Sequence, residues 1–559
     1  MLPVDAWPSR TVALNGRPGP LGEALGPVPT KPENSWIFVA YDQLNEALLT
    51  SINEAHGPLG LVFIESSEKA SRRPYHQQKL ALLLSNMRHF AVEMVQRGWP
   101  VLYLSTTGTY AQGLEDAMGS TIVHAIEPAE RELRRDLSVI VADGRMTVHE
   151  HEGWLTKRAW FDESVGVEPP FRMDAFYRRA RKETGWLMVE GQPLGGGYSH
   201  DADNRKPWKG EPAAPEPPKF ATDSLDEEVQ ALVERCFAGH PGSVDLTALP
   251  TTAEQAKEAM AYGLTWLTWF GPYEDAMSER SRTLFHTRLA PLFNLHRVLP
   301  VDAIEGALTS KAPLNSVEGF VRQLVWREYV HHVHVVTDGF RTLNVHREPA
   351  VRGARWGAWE HQDGELHPNH LEQRAPLFPA YWGQESGLRC LDANVQAVME
   401  DGWTHHIPRL MVLGNLANLL DVDPRELTDW FHAAFIDAFD WVVEPNVLGM
   451  GTFALGTAMM TKPYVSGAAY IHRMSDHCSS CSFHPKKTCP ITRLYWAYLN
   501  RHRGAFSNNH RMSMAMRNAA KRSDEVQAED AAVFGWVQSV LLRGDSLTLA
   551  DGDLRAFMP

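Results

Sequence analysis

Four of the five cysteines are spaced in a way that is typical of a metal or iron–sulfur centre. Cys478 and Cys481 are separated by two residues, Cys489 stands immediately before a proline, and Cys390 lies farther upstream. A C-x2-C pair can present both thiolates to one centre, and four such ligands suit either zinc or a [4Fe–4S] cluster. Spacing alone does not separate these two centres. The fifth cysteine, Cys236, is expected to be a buried small hydrophobe.

Two other arrangements of the cysteines are scattered buried thiols and disulfides. Scattered thiols do not usually cluster as C-x2-C-x7-C-P. Disulfides are disfavoured because the first 26 residues lack the basic-then-apolar order of a signal peptide, and a cytosolic chain keeps its thiols reduced. The sequence therefore favours a metal centre over both alternatives.

Length and composition indicate a globular protein with more than one domain. The chain has 559 residues, of which 44% are apolar, and this suffices for full hydrophobic cores. It has no run of about 20 uncharged apolar residues, the length that a membrane span needs. We therefore expect a cytoplasmic protein, monomeric and without a membrane partner.

Charge is distributed unevenly along the chain. The formal net charge is −14, which argues against a surface that is basic throughout. From Ile471 to Arg522, however, ten Lys or Arg residues accompany one acidic residue, Asp476. Such a local excess of positive charge suits a surface that follows a DNA backbone. A solvated helical face is the alternative, and charge alone does not decide between the two.

The first part of the chain predicts an α/β layer. Residues 1–34, rich in Pro and Gly, are expected to be a disordered extension. Residues 35–165 alternate short apolar runs with helical stretches, which is typical of a parallel α/β domain. No G-x-G-x-x-G follows the first strand, so the dinucleotide fingerprint is absent. The expected strands are Trp36–Ala40, Gly60–Ile64, Val101–Leu104 and Thr121–Ala125, and the expected helix is Tyr75–Arg97.

The remainder of the chain predicts mostly helix. Residues 166–220, which contain three consecutive glycines and four prolines near their end, are expected to be an interdomain linker. Residues 221–515 follow a helical pattern almost throughout, and residues 516–559 are expected to be a C-terminal helical tail. Within the helical region, Asp423, Pro424 and Glu426 predict a helix start, with an N-cap, a proline and an acidic first turn.

Several long phrases of the sequence carry a family resemblance. They are FYRRARKETGWLM (176–188), GGGYSHDADNRKPW (195–208), APLNSVEGFVRQLVWREY (312–329), HHIPRLMVLGNL (405–416), WVVEPNVLGM (441–450) and TKPYVSGAAYIHRMSDHCSSC (461–481). Together they resemble the iron–sulfur bacterial cryptochromes and photolyases, the family of prokaryotic (6-4) photolyases. The resemblance covers residues 36–515.

The resemblance implies a fold, two cofactors and a reaction. The fold is a Rossmann-like α/β antenna domain followed by an all-helical domain that binds FAD and a [4Fe–4S] cluster. The cluster ligands implied are Cys390, Cys478, Cys481 and Cys489. The reaction is light-driven electron transfer from reduced FAD to a (6-4) pyrimidine photoproduct in UV-damaged DNA. A lumazine-type antenna chromophore is also usual in this family, although the chain departs from its relatives at Tyr41 and over Tyr75–Lys79.

The resemblance also assigns roles to single residues. His405 and His406 are the implied lesion-site pair, with His406 as proton donor, a role that suits imidazole because its pKa lies near neutrality. Arg409 is expected to pair with Asp437, since a buried guanidinium needs a carboxylate partner. The implied FAD-binding residues are Thr287, Leu289, Asn294, Arg322, Trp326, Arg327, Arg409, Asn415, Asp437 and Asn446.

Electron transfer and DNA contact are expected from further residues. The implied electron route uses Trp430 and Trp382, because Phe431 and Phe439 stand where some relatives carry the more easily oxidised Tyr. Tyr464 and Tyr470 resemble an aromatic rim that faces the lesion. The basic residues expected to contact DNA phosphates are Arg205, Lys206, Lys486, Arg501 and Arg503.

Two functions from other classes compete with repair. One is a blue-light cryptochrome photoreceptor that binds flavin and signals without repairing DNA. The other is a non-enzymatic DNA-binding module with structural zinc, which would be colourless, whereas flavin and an iron–sulfur cluster give a yellow-brown protein. The adjacent histidines and the basic segment favour repair over signalling.

Overall fold

The chain folds into an α/β layer followed by a helical region, in a computed structural model that describes residues 7, 10–30, 35–351 and 365–549. In this part of the chain, no helix combines the length and the apolar character required to cross a membrane.

A six-stranded sheet forms the centre of the α/β layer, with the strand order β1-β4-β3-β2-β5-β6. β1 runs antiparallel to β4, and all other neighbours are parallel. Every residue of β2 and β3 is buried, as expected for central strands that helices cover on both faces. The strands are β1 (Val12–Ala13), β2 (Ser35–Phe38), β3 (Leu59–Ser66), β4 (Val101–Thr106), β5 (Val123–Ile126) and β6 (Met146–His149).

Six helices belong to this layer. They are α1 (Pro20–Leu25), α2 (Ala47–His56), α3 (Ser67–Ser71), α4 (Gln77–Gln96), α5 (Tyr110–Met118) and α6 (Arg131–Ala142). The four predicted strands and the long predicted helix are confirmed as β2 to β5 and α4. The sequence did not predict β1 or β6, which are the two edge strands.

The predicted disordered extension over residues 1–34 is wrong for residues 10–30. Val12 and Ala13 pair with β4, and the Asn15 side chain continues this pairing: it donates to the Val101 carbonyl (2.9 Å) and accepts from the Tyr103 backbone N–H (2.9 Å). Pro20 begins α1, where a missing N–H costs nothing. The prolines and glycines of this segment therefore shape turns and caps.

The predicted linker over residues 166–220 is wrong in its first part. Residues 173–184 form a helix, α8, that packs on α14 in the core of the helical region. Its buried Arg181 side chain donates to the carbonyls of Trp186 (2.6 Å), Leu187 (2.7 Å) and Tyr198 (3.1 Å). This one side chain holds the glycine-rich turn against the helix, so the segment is part of the domain.

The helical region contains the remaining helices. They are α7 (Arg158–Ser164), α8 (Met173–Thr184), α9 (Ser224–Cys236), α10 (Ala253–Thr265), α11 (Leu267–Phe270), α12 (Ala290–Asn294), α13 (Pro300–Thr309), α14 (Leu314–Val336), α15 (Arg389–Asp401), α16 (His406–Pro408), α17 (Asn415–Leu419), α18 (Pro424–Ala434), α19 (Asp440–Val443), α20 (Ala468–Met474), α21 (Ile491–Arg501), α22 (Arg503–Phe506), α23 (Ser513–Ala520) and α24 (Asp524–Leu542). Two π-helical segments, Arg409–Gly414 and Glu444–Gly451, extend α16 and α19.

The predicted start of α18 is confirmed. The Asp423 carboxylate accepts from the backbone N–H groups of Arg425 (2.7 Å) and Glu426 (3.2 Å). The predicted C-terminal tail contains the end of α23 and all of α24, but α24 packs along α21, so it belongs to the helical core.

Two short hairpins complete the fold. β7 (Met188–Val189) pairs with β8 (Gln192–Pro193), and β9 (Arg347–Pro349) pairs with β10 (Leu366–Pro368). The second hairpin lies within residues 345–375, and Trp356 and Trp359 of this segment lie outside the described residues.

The two regions share a packed interface. Trp403, Ile436, Phe439 and Trp441 of the helical region join the hydrophobic core of the α/β layer. The buried Lys79 ammonium on α4 donates to the carbonyls of His432 (2.7 Å) and Ala438 (2.6 Å) across this interface. The interface therefore fixes the loop before α19 against the α/β layer.

We predict that Asn15→Ala destabilises the α/β layer by about 1–3 kcal/mol, because two backbone groups of β4 lose their hydrogen-bond partners. Urea denaturation followed by circular dichroism measures this change. The control is Asn518→Ala, at an exposed position of α23, which is expected to stay within about 0.5 kcal/mol of the parent. Equal stability of the two variants would contradict the role given to Asn15.

Candidate active site and cysteine centre

The four cysteines of the sequence pattern line one pocket in the helical region. Cys390 lies in the first turn of α15, Cys478 follows α20, and Cys489 precedes α21. With Cys481 they face a pocket of about 300 Å3. Its apolar walls include Leu388, Ala468, Ile471, Phe483 and Ile491.

The electrostatics of this pocket fit a metal centre. Burial raises the pKa of Cys390 well above the usual thiol range, and repulsion from the other three cysteines adds to the shift. Burial also raises the pKa of Cys478 to about 11 and that of Cys489 to about 12. These groups stay protonated at neutral pH unless a cation stabilises the thiolates.

Cys236 takes no part in this pocket. It is exposed at the last position of α9, so the prediction that it is buried is wrong. Its spacing from Val229, Leu232 and Val233 puts Cys236 on the buried face of α9, but residues 234–236 at the end of the helix are all exposed.

Three histidine rings meet at the start of α16. His405 caps this helix, and the ring of His286 stacks on it at 4.1 Å between centroids with 14° between planes. The ring of His406 stands edge-on to His286 at 5.4 Å. Among the described residues, the buried atoms His286 Nε2 and His405 Nδ1 have no hydrogen-bond partner.

The surroundings shift the pKa of His406 differently from those of His286 and His405. Burial lowers the pKa of His286 and of His405 well below the ordinary value, and the neighbouring imidazoles lower it further. Both rings are therefore neutral at pH 7. His406 differs because its side chain is 41% exposed and its Nε2 lies 3.9 Å from Glu274 Oε1. Burial still lowers the pKa of His406, but the Glu274 carboxylate opposes that shift.

Glu274 connects the histidines to the surrounding helices. Its carboxylate is buried and accepts from Gln323 Nε2 (2.7 Å), from Asn204 Nδ2 (2.7 Å) and more weakly from Arg322 Nη2 (3.4 Å). Arg322 is thus placed beside His406. The sequence did not point to Glu274, because it lies in an irregular turn with no periodic pattern. It also did not point to His286, which precedes Thr287, a residue expected to bind FAD.

Aromatic and charged side chains surround the opening above His406. Tyr464 is 39% exposed, and the Tyr470 hydroxyl donates to Asp275 Oδ2 (3.3 Å). Burial raises the pKa of Asp275 to about 6, with repulsion from Glu274 as the next cause. Arg205 pairs with Asp201 and lies 4.0 Å from the Asp275 carboxylate. Burial raises the pKa of Tyr464, and the charges of Asp201 and Arg205 also act on it, so Tyr464, Tyr470 and Arg205 belong to one rim.

A second polar network holds four of the predicted FAD-binding residues together. Arg409 and Asp437 form a bidentate ion pair with both N–O distances at 2.9 Å. The Asp437 carbonyl accepts from Asn294 Nδ2 (2.8 Å), and Asn294 Oδ1 accepts from Arg327 Nε (2.9 Å). The expected pairing of Arg409 with Asp437 is present.

The other predicted FAD-binding residues occupy separate positions. Trp326 Nε1 donates to Asn446 Oδ1 (2.9 Å), so these two form a pair. Asn415 and Ser466 exchange two hydrogen bonds, at 3.0 and 2.9 Å. Leu289 is buried at the N-terminus of α12.

A pocket opens beside Thr287, and Arg288 also lines it. The Arg288 guanidinium lies over the Trp403 ring at 5.3 Å, and burial lowers its pKa. In the part of the chain that the structure describes, no acceptor is hydrogen-bonded to this guanidinium, so it can meet a diphosphate. The apolar walls include Leu292, Trp403 and Ile436.

Trp430 lies fully buried on α18, next to the Arg409 network. Its Nε1 donates to the Tyr381 carbonyl (2.9 Å), and its ring stands edge-on to Tyr381 at 5.1 Å. Its ring also contacts Phe435 at 5.7 Å, and the Arg409 guanidinium lies 4.3 Å from the Phe435 ring. Trp382, the residue after Tyr381, is also buried.

Part of the basic segment, Ile471–Arg522, is engaged in internal pairs. Arg501 binds Asp421 with two distances of 2.9 Å, and Arg503 donates to Asn500 (3.0 Å). Lys486 is exposed, and so is Lys206 beside Arg205. Arg501, which is expected to contact DNA, is thus paired with Asp421, a carboxylate distant in sequence that neutralises its charge.

Two protein-family models match parts of this chain. Deoxyribodipyrimidine photo-lyase-related protein matches residues 37–248, and the FAD binding domain of DNA photolyase matches residues 320–483. A (6-4) photolyase of Agrobacterium fabrum is 32% identical over 514 residues, which cover 88% of this chain and 96% of that protein. A deoxyribodipyrimidine photo-lyase of Alkalihalophilus pseudofirmus is 23% identical over 161 residues, 27% of this chain and 28% of that protein.

Solved structures share the fold. A bacterial class III photolyase from Agrobacterium tumefaciens aligns with a TM-score of 0.50 at 14% identity, covering 91% of this chain and 98% of its own. A cryptochrome from Synechocystis aligns with a TM-score of 0.51 at 13% identity, covering 80% of this chain and 87% of its own.

We predict that Glu274→Gln lowers the pKa of His406 further, because the carboxylate that stabilises its imidazolium is removed. The protonated fraction of His406 at pH 7 then falls. NMR titration of the His406 ring, assigned by comparison with His406→Asn, measures the change. Glu400→Gln, at a carboxylate bound to Arg282, is the control and should leave this pKa in place. A higher pKa in Glu274→Gln would contradict this account.

Proposed function

This chain belongs to the photolyase/cryptochrome family, and we propose that it repairs (6-4) pyrimidine photoproducts in DNA with light and FAD. The family relationship supports a light-dependent DNA-repair lyase, and the match to the photolyase FAD domain supports FAD as cofactor. The observation that carries the (6-4) assignment is the pair His405 and His406 at the base of an aromatic-rimmed cleft, with Glu274 beside His406.

The residues that would hold FAD form two groups. Thr287 and Arg288 line the pocket that suits the diphosphate, and Arg409, Asp437, Asn294 and Arg327 form the adjacent polar network. Reduced FAD, when bound, supplies the electron on excitation by light. The buried ion pair keeps the Arg409 guanidinium in a fixed orientation, because an unpaired charge at this depth is costly.

His406 is the group that handles the proton. Reversal of a (6-4) bond returns a hydroxyl or amino group from one pyrimidine to the other. Because the lesion and the two repaired bases are isomers, the proton that assists this transfer is lent to the lesion and returns to its donor afterwards. His406 suits this role because its side chain is 41% exposed and because Glu274, 3.9 Å away, opposes the lowering of its pKa by burial. His405 and His286 stay neutral, so they position the lesion and His406 without competing for the proton.

The rim would hold an extruded nucleotide. Tyr464 and Tyr470 offer ring faces, and stacking of a base on an aromatic side chain contributes roughly 1–3 kcal/mol. Arg205 and Lys206 lie in one exposed loop by this rim and are the nearest candidates for phosphate contacts. Lys486 and Arg503 remain candidates at a greater distance along the surface.

We assign a [4Fe–4S] cluster to Cys390, Cys478, Cys481 and Cys489. All four cysteines line one pocket with apolar walls, which supports a single centre held by four thiolates. The choice of iron–sulfur over zinc rests on the resemblance of the sequence to the iron–sulfur photolyases.

Trp430 is the residue we propose as the electron donor near the flavin, with Trp382 farther along. Trp430 is buried and its ring contacts Phe435, and the Arg409 guanidinium lies over the Phe435 ring. These contacts support Trp430 as the donor nearer to the flavin. Phe431 and Phe439, which are harder to oxidise, cannot take the same role.

A lumazine-type antenna chromophore is a further proposal for the α/β layer. A pocket of about 570 Å3 lies between this layer and the helical region. Aromatic rings, which suit a planar chromophore, form much of its wall together with Lys79, whose pKa burial lowers to about 7. The aromatic lining residues are Trp7, Tyr41, Tyr75, Tyr110 and Phe439.

We predict that His406→Asn lowers repair of a (6-4) oligonucleotide by about 10²-fold, a loss typical of removing a general acid. FAD content and photoreduction should stay at wild-type levels, since His406 is not among the residues expected to hold FAD. His405→Asn is expected to cost less. Loss of lesion under light, measured by chromatography, gives the rates.

The competing function predicts a different outcome. If the chain is a photoreceptor, wild-type protein photoreduces but leaves the lesion intact, and His406→Asn changes nothing in this assay. Wild-type repair that survives His406→Asn unchanged would contradict the proton-donor role alone.

We predict that Cys478→Ala removes the cluster, so iron falls from about four per chain to near zero and the broad visible absorption is lost. Because metal binding contributes to folding, the yield of folded protein should also fall. Cys236→Ala is the matched control, since Cys236 is exposed and outside the pocket. Wild-type protein with one zinc and no iron would contradict the cluster.

A further inference from the structure

Three histidines meet on the α/β layer, away from the site described above. His56 is the last residue of α2, His124 lies on β5, and His149 ends β6. β5 and β6 are parallel neighbours, with His124 paired to Thr147 and Ile126 paired to His149. His124 and His149 are therefore diagonal neighbours on one face of the sheet, and the end of α2 places His56 over the same face.

The ring nitrogens of these histidines converge. His124 Nδ1 lies 2.9 Å from His149 Nε2, and the centroid of the His56 ring lies 4.4 Å from that of His124 and 5.2 Å from that of His149. One nitrogen from each ring can be chosen so that all three lie within 4.8 Å of one another. Three imidazole nitrogens at about 2.0–2.1 Å from one tetrahedral ion lie roughly 3.3 Å apart, so small side-chain rotations complete the geometry.

The surroundings leave these imidazoles available as ligands. Burial lowers the pKa of His124 and of His149, and repulsion from His56 lowers both further. No carboxylate contributes to either shift. Among the described residues, no acidic side chain is hydrogen-bonded to any of the three rings. Ordinary ion pairing therefore does not account for the cluster.

We propose that His56, His124 and His149 bind one divalent transition-metal ion of the zinc class. Imidazole suits Zn2+, Ni2+ and Cu2+, whereas Mg2+ and Ca2+ require oxygen ligands, which this cluster does not offer. His56 is exposed and His124 is buried, so the ion is reached from solvent and keeps an open position for water. The C-terminal end of α2 adds a favourable partial negative charge.

Such an ion would tie three elements of the layer together. α2 connects β2 to β3, while β5 and β6 form the side of the sheet opposite β1 and β4. An ion that binds the folded layer more tightly than the unfolded chain stabilises it. The inference does not depend on the repair reaction.

Zn2+ binding to the full-length protein tests the proposal. Protein holding FAD and its cysteine centre is dialysed at neutral pH against buffered micromolar Zn2+ and analysed for zinc by mass spectrometry. Wild-type protein is expected to bind one more zinc per chain than His56→Ala or His149→Ala, and its melting temperature should rise with Zn2+ more than theirs. Any zinc at other sites cancels in this difference. His510→Ala, an exposed histidine on another surface, is the matched control and should behave as wild type.

Two results would overturn the proposal. One is equal zinc content in wild type, His56→Ala and His149→Ala. The other is displacement of the extra zinc by millimolar Mg2+, because nitrogen ligands do not favour that ion. A variant that fails to fold is recognised by loss of FAD, and the second His variant then decides. Retention of the extra zinc by His510→Ala with its loss in the two His variants supports the site.

Discussion

The bidentate ion pair between Arg409 and Asp437 is the interaction on which the arrangement of the site depends. Arg409 follows the two histidines within one turn, and it also donates to the Thr404 carbonyl at 2.8 Å. The carbonyl of Asp437 accepts a hydrogen bond from the Asn294 side chain, which in turn accepts one from Arg327 on α14. The Arg409 side chain is 22% exposed and that of Asp437 is 6% exposed, so removing either partner leaves the other charge with little water around it. The pair therefore orients the histidine segment, the polar network and α14 together.

Burial affects the protonation of the three neighbouring histidines to different extents. His286 and His405 are kept neutral by desolvation, while Glu274 works against the same effect at His406. The same principle acts at the cysteines, where an apolar pocket keeps thiols protonated until a cation is present. In both places burial in an apolar environment shifts the pKa values and so determines which groups are charged. Groups with shifted pKa values often mark functional sites.

Much of the fold could be predicted from local patterns, and the misses have physical causes. The alternation of apolar runs located β2 to β5, and Asp423 with Pro424 located the start of α18, because these signals act over a few residues. β1 was missed because a two-residue edge strand has no periodicity, and its stability comes from Asn15 bonding to a distant strand. The Arg501 pair with Asp421 was missed for the same reason, since counting charges along the chain does not locate their partners. Glu274 reaches His406 only through tertiary packing.

The proposed specificity for the (6-4) lesion rests on the proton that His406 can deliver. Splitting a cyclobutane dimer requires an electron, but no chemical group moves from one base to the other. Reversal of a (6-4) photoproduct moves a hydroxyl or amino group between the bases, and this transfer also requires a proton. The most direct measurement is product analysis after illumination of the reduced protein with an equal mixture of oligonucleotides that carry one lesion or the other. The account predicts that the (6-4) lesion disappears while the cyclobutane dimer persists. Repair of the dimer with an intact (6-4) lesion would contradict it.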